Sequence, residues 1–429
     1  MNPNITQIPE AICSILSKVK EVFRENPKIY EMFENCYMNT LRTAVRPKED
    51  QTVYVVTGDI PAMWLRDSAA SLHPYLLPAR EDPQIADLLV GVVRRQFQYI
   101  CIDPYANAFN EAPNGNCWAR DDTRMNDWLW ERKYEVDSLC YPISFAYQVW
   151  KNTGRTDQFD ANFLEGTHKI LEVFHIEQCH EEQSDYHFSR KDTYFTDTLS
   201  RDGRGALVKS GTGMIWSGFR PSDDACTYGY LIPSNMFAVV ALKNLSEIAA
   251  NVLQDQALAK EATELRNEIY EGIETYAITH REGYGDVYAY EVDGFGQYNL
   301  MDDANIPSLL SMDYLGYRGR DPQVAENTRK MILSEANPFY YKGEKAAGIG
   351  SPHTPVGYIW PMALCMQGLT AKTGEEKRQM IDLLAATDGG TGLMHESFCT
   401  DDDAQFTREW FAWANAMFSE LILDYCGLV

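Results

Sequence analysis

The sequence lacks paired cysteines, a long unbroken apolar run and an excess of positive charge, and each absence closes off a class of function. Its ten cysteines (Cys13, Cys36, Cys101, Cys117, Cys140, Cys179, Cys226, Cys365, Cys399 and Cys426) are scattered, with no close pair of the kind a zinc site or dithiol motif requires. Several fall in apolar runs, where buried free thiols are common. No stretch offers the roughly 20 apolar residues of a membrane helix. Met1 to Lys20 has no basic start followed by an apolar segment, so no signal peptide is expected. The chain reads as cytoplasmic, and the sequons at Asn4 and Asn244 read as chance matches. Lys and Arg number 38 against 62 Asp and Glu, a net charge of −24. Such a surface repels phosphate backbones and anionic lipid, so neither nucleic acid nor a membrane is an expected partner.

Familiar catalytic signatures are missing too. There is no Gly-x-Ser-x-Gly elbow, no phosphate-cradling P-loop, no dinucleotide glycine fingerprint and no His-Glu-x-x-His. None of the Asp-Asp doublets continues as the Asp-Asp-x-x-Asp of metal–diphosphate enzymes, and neither a metal nor a cofactor is expected. His175 and His180 stand in an acidic segment and read as surface residues. No Pro/Gly/Ser-rich linker divides the 429 residues, which predicts one domain over the whole length.

What the chain does contain is helix. Ile85, Leu88, Leu89, Val92, Val93, Phe97 and Ile100 recur at helical spacing behind an Asp82 cap and Pro83. Leu258, Ala262, Leu265, Ile269, Ile273 and Tyr276 form a second one-sided stripe. Four other runs, Leu139 to Trp150, Met236 to Leu245, Ile359 to Leu369 and Phe411 to Ile422, are apolar nearly all round, as in helices enclosed on every side. The two kinds alternate along the chain. That predicts an all-α (α/α)6 barrel, an enclosed inner ring wrapped by an amphipathic outer one. Strand patterning is confined to Thr52 to Thr57 and Tyr284 to Tyr290, both read as hairpins in loops.

Between the helical runs lie loops rich in carboxylates, glycine, proline and aromatics, at 57–68, 120–128, 216–224, 301–307, 350–355 and 394–397. They are about 66 residues apart on average, close to the length of a helical hairpin, so successive loops should converge on one mouth of the barrel. Asp223 and Asp224 are adjacent, and Glu396 sits between His395 and Ser397. A carboxyl pair in unlike environments is what glycoside hydrolysis needs, one to protonate the leaving oxygen and one to activate water or attack carbon. Read without that chemistry, the doublet is a helix cap and Glu396 a solvated loop acid. Trp64-Leu-Arg-Asp67 supplies a ring for a sugar face and a guanidinium and carboxylate for its hydroxyls, or else a buried ion pair.

The segments Gly58-Asp-Ile-Pro-Ala-Met-Trp-Leu-Arg-Asp-Ser68, Trp216-Ser-Gly-Phe-Arg-Pro-Ser-Asp-Asp-Ala225, Gly350-Ser-Pro-His-Thr-Pro355 and Leu393-Met-His-Glu-Ser397 carry a resemblance to glycoside hydrolase family 125, exo-acting α-1,6-mannosidases. The Trp-x-Arg-Asp element is also similar to the sugar-gripping segment of glucoamylase-like barrels. The family resemblance implies an inverting, metal-independent hydrolase acting on a mannose-containing oligosaccharide. It implies Asp223 as general acid, with Asp224 the second choice, and Glu396 as general base. Asp59, Trp64, Arg66, Asp67, Arg220, Asp302, Asp303, His353 and His395 are the candidate sugar-binding residues. Another (α/α)6 glycosidase, a sugar epimerase or isomerase on the same barrel, and a binding protein with a dead site are the competing readings.

Overall fold

In the computed structural model, which describes residues 8–429, helices dominate and strands form only two- and three-stranded sheets. After α1 (Glu10–Val22), the main helices alternate between an outer and an inner position. The outer ring is α2 (Pro27–Asn39), α4 (Pro83–Ile102), α6 (Ala161–Gln178), α8 (Gln256–Tyr276), α10 (Pro322–Ile332) and α12 (Gly374–Ala386). The inner ring is α3 (Leu65–Ala70), α5 (Val136–Thr153), α7 (Ile232–Ile248), the single turn α9 (Met312–Leu315), α11 (Pro361–Leu369) and α13 (Ala412–Tyr425). Each inner helix from α3 to α7 packs on the next, and α13 packs on both α11 and α3. Tyr314 of α9 donates to Glu420 of α13 at 3.1 Å. This is the predicted (α/α)6 barrel.

The two ring positions follow from the side chains. Asp82 caps α4, accepting from the Gln84 and Ile85 amides, and the helix buries Ile85, Leu89, Val92, Val93, Phe97 and Ile100. Helix α8 likewise buries Leu258, Ala262, Leu265, Ile269 and Ile273 and leaves its charges outside. Helix α13 is buried from Ala412 to Leu423, and α3 is buried along its whole length although it carries Arg66, Asp67 and Ser68. The segment Ile232–Leu253 is in fact long and apolar enough to cross a membrane, contrary to the sequence reading. Its core stretch serves another purpose here, packed between α5 and α8. One apolar core runs from Ile12 to Leu423. Thr52–Thr57 and Tyr284–Tyr290 contain the expected hairpin strands, Val53–Val55 against Val45–Pro47 and Gly285–Tyr288 against Ile278–Arg281.

His180 departs from expectation. It is buried, stacked on Trp216 at 3.7 Å and hydrogen-bonded to Glu177, because the end of α6 folds back under the 216–224 loop. His175 is half-exposed beside Glu261. All ten cysteines are unpaired. Asn4 lies outside the described residues, and Asn244 is half-buried on α7.

Three small sheets place the site. Met63–Trp64 pairs with Ala108–Phe109, which pairs with Leu129–Glu131. Tyr230–Leu231 pairs with Glu291–Val292. Tyr358–Ile359 pairs with Ser397–Cys399, which continues to Asp402–Thr407. The first strand in each case runs directly into an inner helix, α3, α7 or α11. The chain is therefore pinned where the inner ring begins, and the positive ends of the inner helices gather at that mouth.

Candidate active site

At this mouth lies a narrow pocket. Asp223 and Glu396 both line it, with Trp64, Arg66, Asp67, Asn305 and His353. Five of the six loops read from the sequence contribute. The 120–128 loop does not. Its Asp121 instead clamps Arg190 at 2.6 Å, and Arg190 reaches Glu131 and Asp197 behind the pocket wall.

The 219–225 segment is a tight turn. The Asp223 amide donates to the Arg220 carbonyl at 2.9 Å, and Phe219 bridges to Ala225. Asp223 sits at its tip with φ of 66°, a left-handed conformation that costs a non-glycine residue energy and is found mostly where function demands it. Arg66 and Asn107 donate to Asp223 Oδ1 at 3.3 and 3.2 Å, and Lys133 holds its carbonyl at 2.7 Å. The side chain keeps 26% of its surface exposed toward the pocket. Burial favours the neutral acid at Asp223, but Arg66, the neighbouring Glu135, Lys133 and His353 together hold it well below the usual carboxylate range.

Glu396 lies just before a strand, its amide bonded to the Thr407 carbonyl. Its Oε1 is 3.5 Å from Arg408, whose guanidinium is fixed by Asp59 at 2.6 Å. His353 donates through Nδ1 to Asp224 Oδ1 at 3.2 Å. Burial pushes its pKa down, but Asp224, Glu396 and Asp223 outweigh that and bring it to about 9. Burial pushes Asp67 up to about 6 against the pull of Arg66 and Arg408. Trp64 Nε1, Asp67 Oδ2, Ser222 Oγ and Trp413 Nε1 are buried in the pocket lining and find no hydrogen-bond partner among the described residues. Buried polar atoms without partners are costly, and ligand hydroxyls would satisfy them.

The remaining candidates stand behind the lining. Asp59 touches the pocket only through Arg408. Arg220 is buried against Glu291 at 2.6 Å. Asp302 accepts from the Leu309 and Leu310 amides, where burial raises it to about 8. Asp303 accepts from Asn305 and Ser351. His395 stacks on Phe406 at 3.7 Å and bonds to Thr391 and the Glu409 carbonyl, turned away from the cavity. All five lie in the loops singled out from the sequence, but their side chains are consumed in shaping those loops. Sequence reasoning missed Asn305, Trp360, Arg408, Phe411 and Trp413, all of which line the pocket. It also missed Glu135 and Asp137, whose signal was present: two acids opening an apolar, enclosed helix.

Among the described residues no group of three or more His, Cys, Asp or Glu is arranged to hold a metal. The profile of the metal-independent α-mannosidases (GH125) matches residues 26–423. The chain belongs to this family. A curated relative, the meiotically up-regulated gene 157 protein of Schizosaccharomyces pombe, is 40% identical over 95% of this chain and 84% of its own. A Streptococcus pneumoniae metal-independent α-mannosidase, solved as a non-productive complex with α-1,6-mannobiose, is 49% identical. It superposes with a TM-score of 0.95 over 98% of this chain and 99% of its own. A wild-type glycosidase at 13% identity and TM-score 0.57, covering 95% of this chain and 99% of its own, shares the fold. The protein is thus a glycoside hydrolase, a metal-independent α-mannosidase.

Proposed function

We propose that this α-mannosidase removes terminal non-reducing α-1,6-linked mannose by a single inverting displacement, with Asp223 as general acid and Glu396 as general base. The observation that carries the assignment is that these two carboxylates, 173 residues apart in sequence, line one narrow pocket with Arg66, Asp67 and His353. The complex of the pneumococcal relative with α-1,6-mannobiose supports the linkage. Arg66 and Asp67 hold hydroxyls of the terminal sugar, and the narrow pocket receives one chain end, hence exo action. Glu396 takes a proton from water as the water oxygen attacks the anomeric carbon, and Asp223 protonates the departing oxygen. Ten unpaired thiols fit a reducing compartment, which supports a cytoplasmic location.

Asp223→Asn and Glu396→Gln are each expected to lower kcat on α-1,6-mannobiose by about 10³-fold or more while mannose affinity, measured by calorimetry, stays near wild type. Near-normal turnover by either variant removes that residue from its role.

A further inference from the structure

Behind Asp223 stands a second carboxyl that the two-residue mechanism does not use. Glu135 opens α5, and its side chain is 0% exposed. Its Oε2 accepts from Arg66 at 2.5 Å and from Ser138 at 2.6 Å. Its Oε1 is fully buried and receives no donor from the described residues, and its carboxyl shares the Arg66 guanidinium with that of Asp223. Two carboxylates crowded on one guanidinium, one of them with an oxygen that no donor reaches, are relieved when one takes up a proton. The charge balance points the same way. The single guanidinium of Arg66 faces Asp67 at 3.4 Å, Glu135 at 2.5 Å, Asp137 at 3.2 Å and Asp223 at 3.3 Å. One cation cannot neutralise four carboxylates, three of them buried, so the cluster retains protons near neutral pH.

We propose that Glu135 and Asp223 hold one proton between them, and that this carboxyl pair, rather than Asp223 alone, is the acid that protonates the departing sugar. The inference rests on the assignment of Asp223 as general acid. Asp223 touches substrate, and Glu135 is a positioning residue that acts through it. In the free enzyme the proton resides on Glu135, where burial, opposed by Arg66 but reinforced by Asp223 and Asp137, raises the pKa well above the usual carboxylate range. On reaction the proton moves to Asp223 and from there to the glycosidic oxygen, which keeps the electron pair of the broken carbon–oxygen bond. Glu396 meanwhile takes one proton from water. The cycle closes when Glu396 releases that proton and the pair regains one from solvent. This answers how an aspartate held ionised by Arg66, Lys133 and His353 can serve as an acid at all.

The groups facing the pair are Arg66 and Asp67 from α3, Lys133 before α5 and Asp137 within it, His353 from its loop, and the thiol of Cys226. Burial, with Glu291, raises Cys226 so far that it stays neutral. Glu131 and Asp197 reach the pair through Lys133, and Glu131 also through the amide of Asn107.

The test compares α-1,6-mannobiose, whose leaving group needs a proton, with dinitrophenyl α-mannoside, whose leaving group does not. Glu135→Gln can still donate to Asp223 but brings no transferable proton. It is expected to lower kcat on mannobiose by about 10²-fold, to lower it far less on the dinitrophenyl substrate, and to move the alkaline limb of the mannobiose profile down. Ser138→Ala removes a donor to Glu135 and is expected to move the same limb up, which keeps the test open should Glu135→Gln not fold. Equal losses on both substrates, or limbs that do not move in either variant, overturn the pair. Asp223→Asn is run alongside. If it hydrolyses mannobiose normally, the acid assignment itself fails. If it shows the leaving-group dependence and the Glu135 and Ser138 variants do not, only the shared proton fails.

Discussion

At the scale of single residues, the site works by setting like charges against too few cations. Arg66 is shared among four carboxyls, and the imbalance is relieved by retained protons and by His353, which carries a positive charge up to a pKa of about 9. That value lies above the ~6.5 of an unfolded histidine, so folding favours the protonated ring. The stabilisation from the His353–Asp224 pair is therefore complete below about pH 6.5 and disappears as pH rises through 9. The difference in melting temperature between wild type and His353→Gln should be largest at pH 6 and vanish by pH 10. A difference that grows with pH would contradict the charge assigned to His353. The sequence made Asp223, Glu396, Trp64, Arg66, Asp67 and His353 legible because their motifs are long. It could not separate lining from support: Arg220, Asp302, Asp303 and His395 share those motifs, yet each spends its hydrogen-bonding groups on neighbouring backbone or a partner charge.

At the scale of elements, the mouth is held together by contacts between loops far apart in sequence. Thr57 accepts from the Ala412 amide at 3.1 Å, and Gly58 bridges to Phe411, joining the loop before α3 to the start of α13. Gly58 has φ of 145°, and a Cβ there would lie 2.4 Å from the Trp410 carbonyl oxygen. Gly58→Ala must displace the Trp410–Phe411 backbone, which follows Arg408, the partner of Glu396. A loss of about 2 kcal/mol or more in stability is expected, with a fall in kcat/KM at temperatures where the protein stays folded. Denaturant unfolding and steady-state kinetics check both, and wild-type values would show that the staple is dispensable. The amphipathic outer helices α4 and α8 and the enclosed α5, α7, α11 and α13 were readable from periodicity. Helix α3 was not, since Leu65-Arg-Asp-Ser-Ala-Ala is polar by composition and is buried only because ion pairs satisfy it. Nor was α9, a single turn with no period to detect. The 120–128 loop had the composition and spacing of the others, and only tertiary packing turned it outward to hold Arg190.

At the scale of the molecule, twelve alternating helices bring the N-terminal ends of the inner ring to one opening, and the chain gathers Arg66, Lys133, His353 and Arg408 there despite a net charge of −24. The surface potential does nothing to attract a neutral oligosaccharide. Recognition therefore depends on hydroxyls reaching the pocket atoms that lack a hydrogen-bond partner, such as Ser222 Oγ and Trp64 Nε1. The account stands on Asp223 and Glu396 acting on one glycosidic bond, with water entering as the leaving sugar departs. Proton NMR of α-1,6-mannobiose during the first minutes of digestion reads this directly. Mannose appearing first as the β-anomer, with the α-anomer growing in only by mutarotation, is the expected result. First release of α-mannose would mean a covalent intermediate, and a water-activating Glu396 opposite an acidic Asp223 would then be the wrong mechanism.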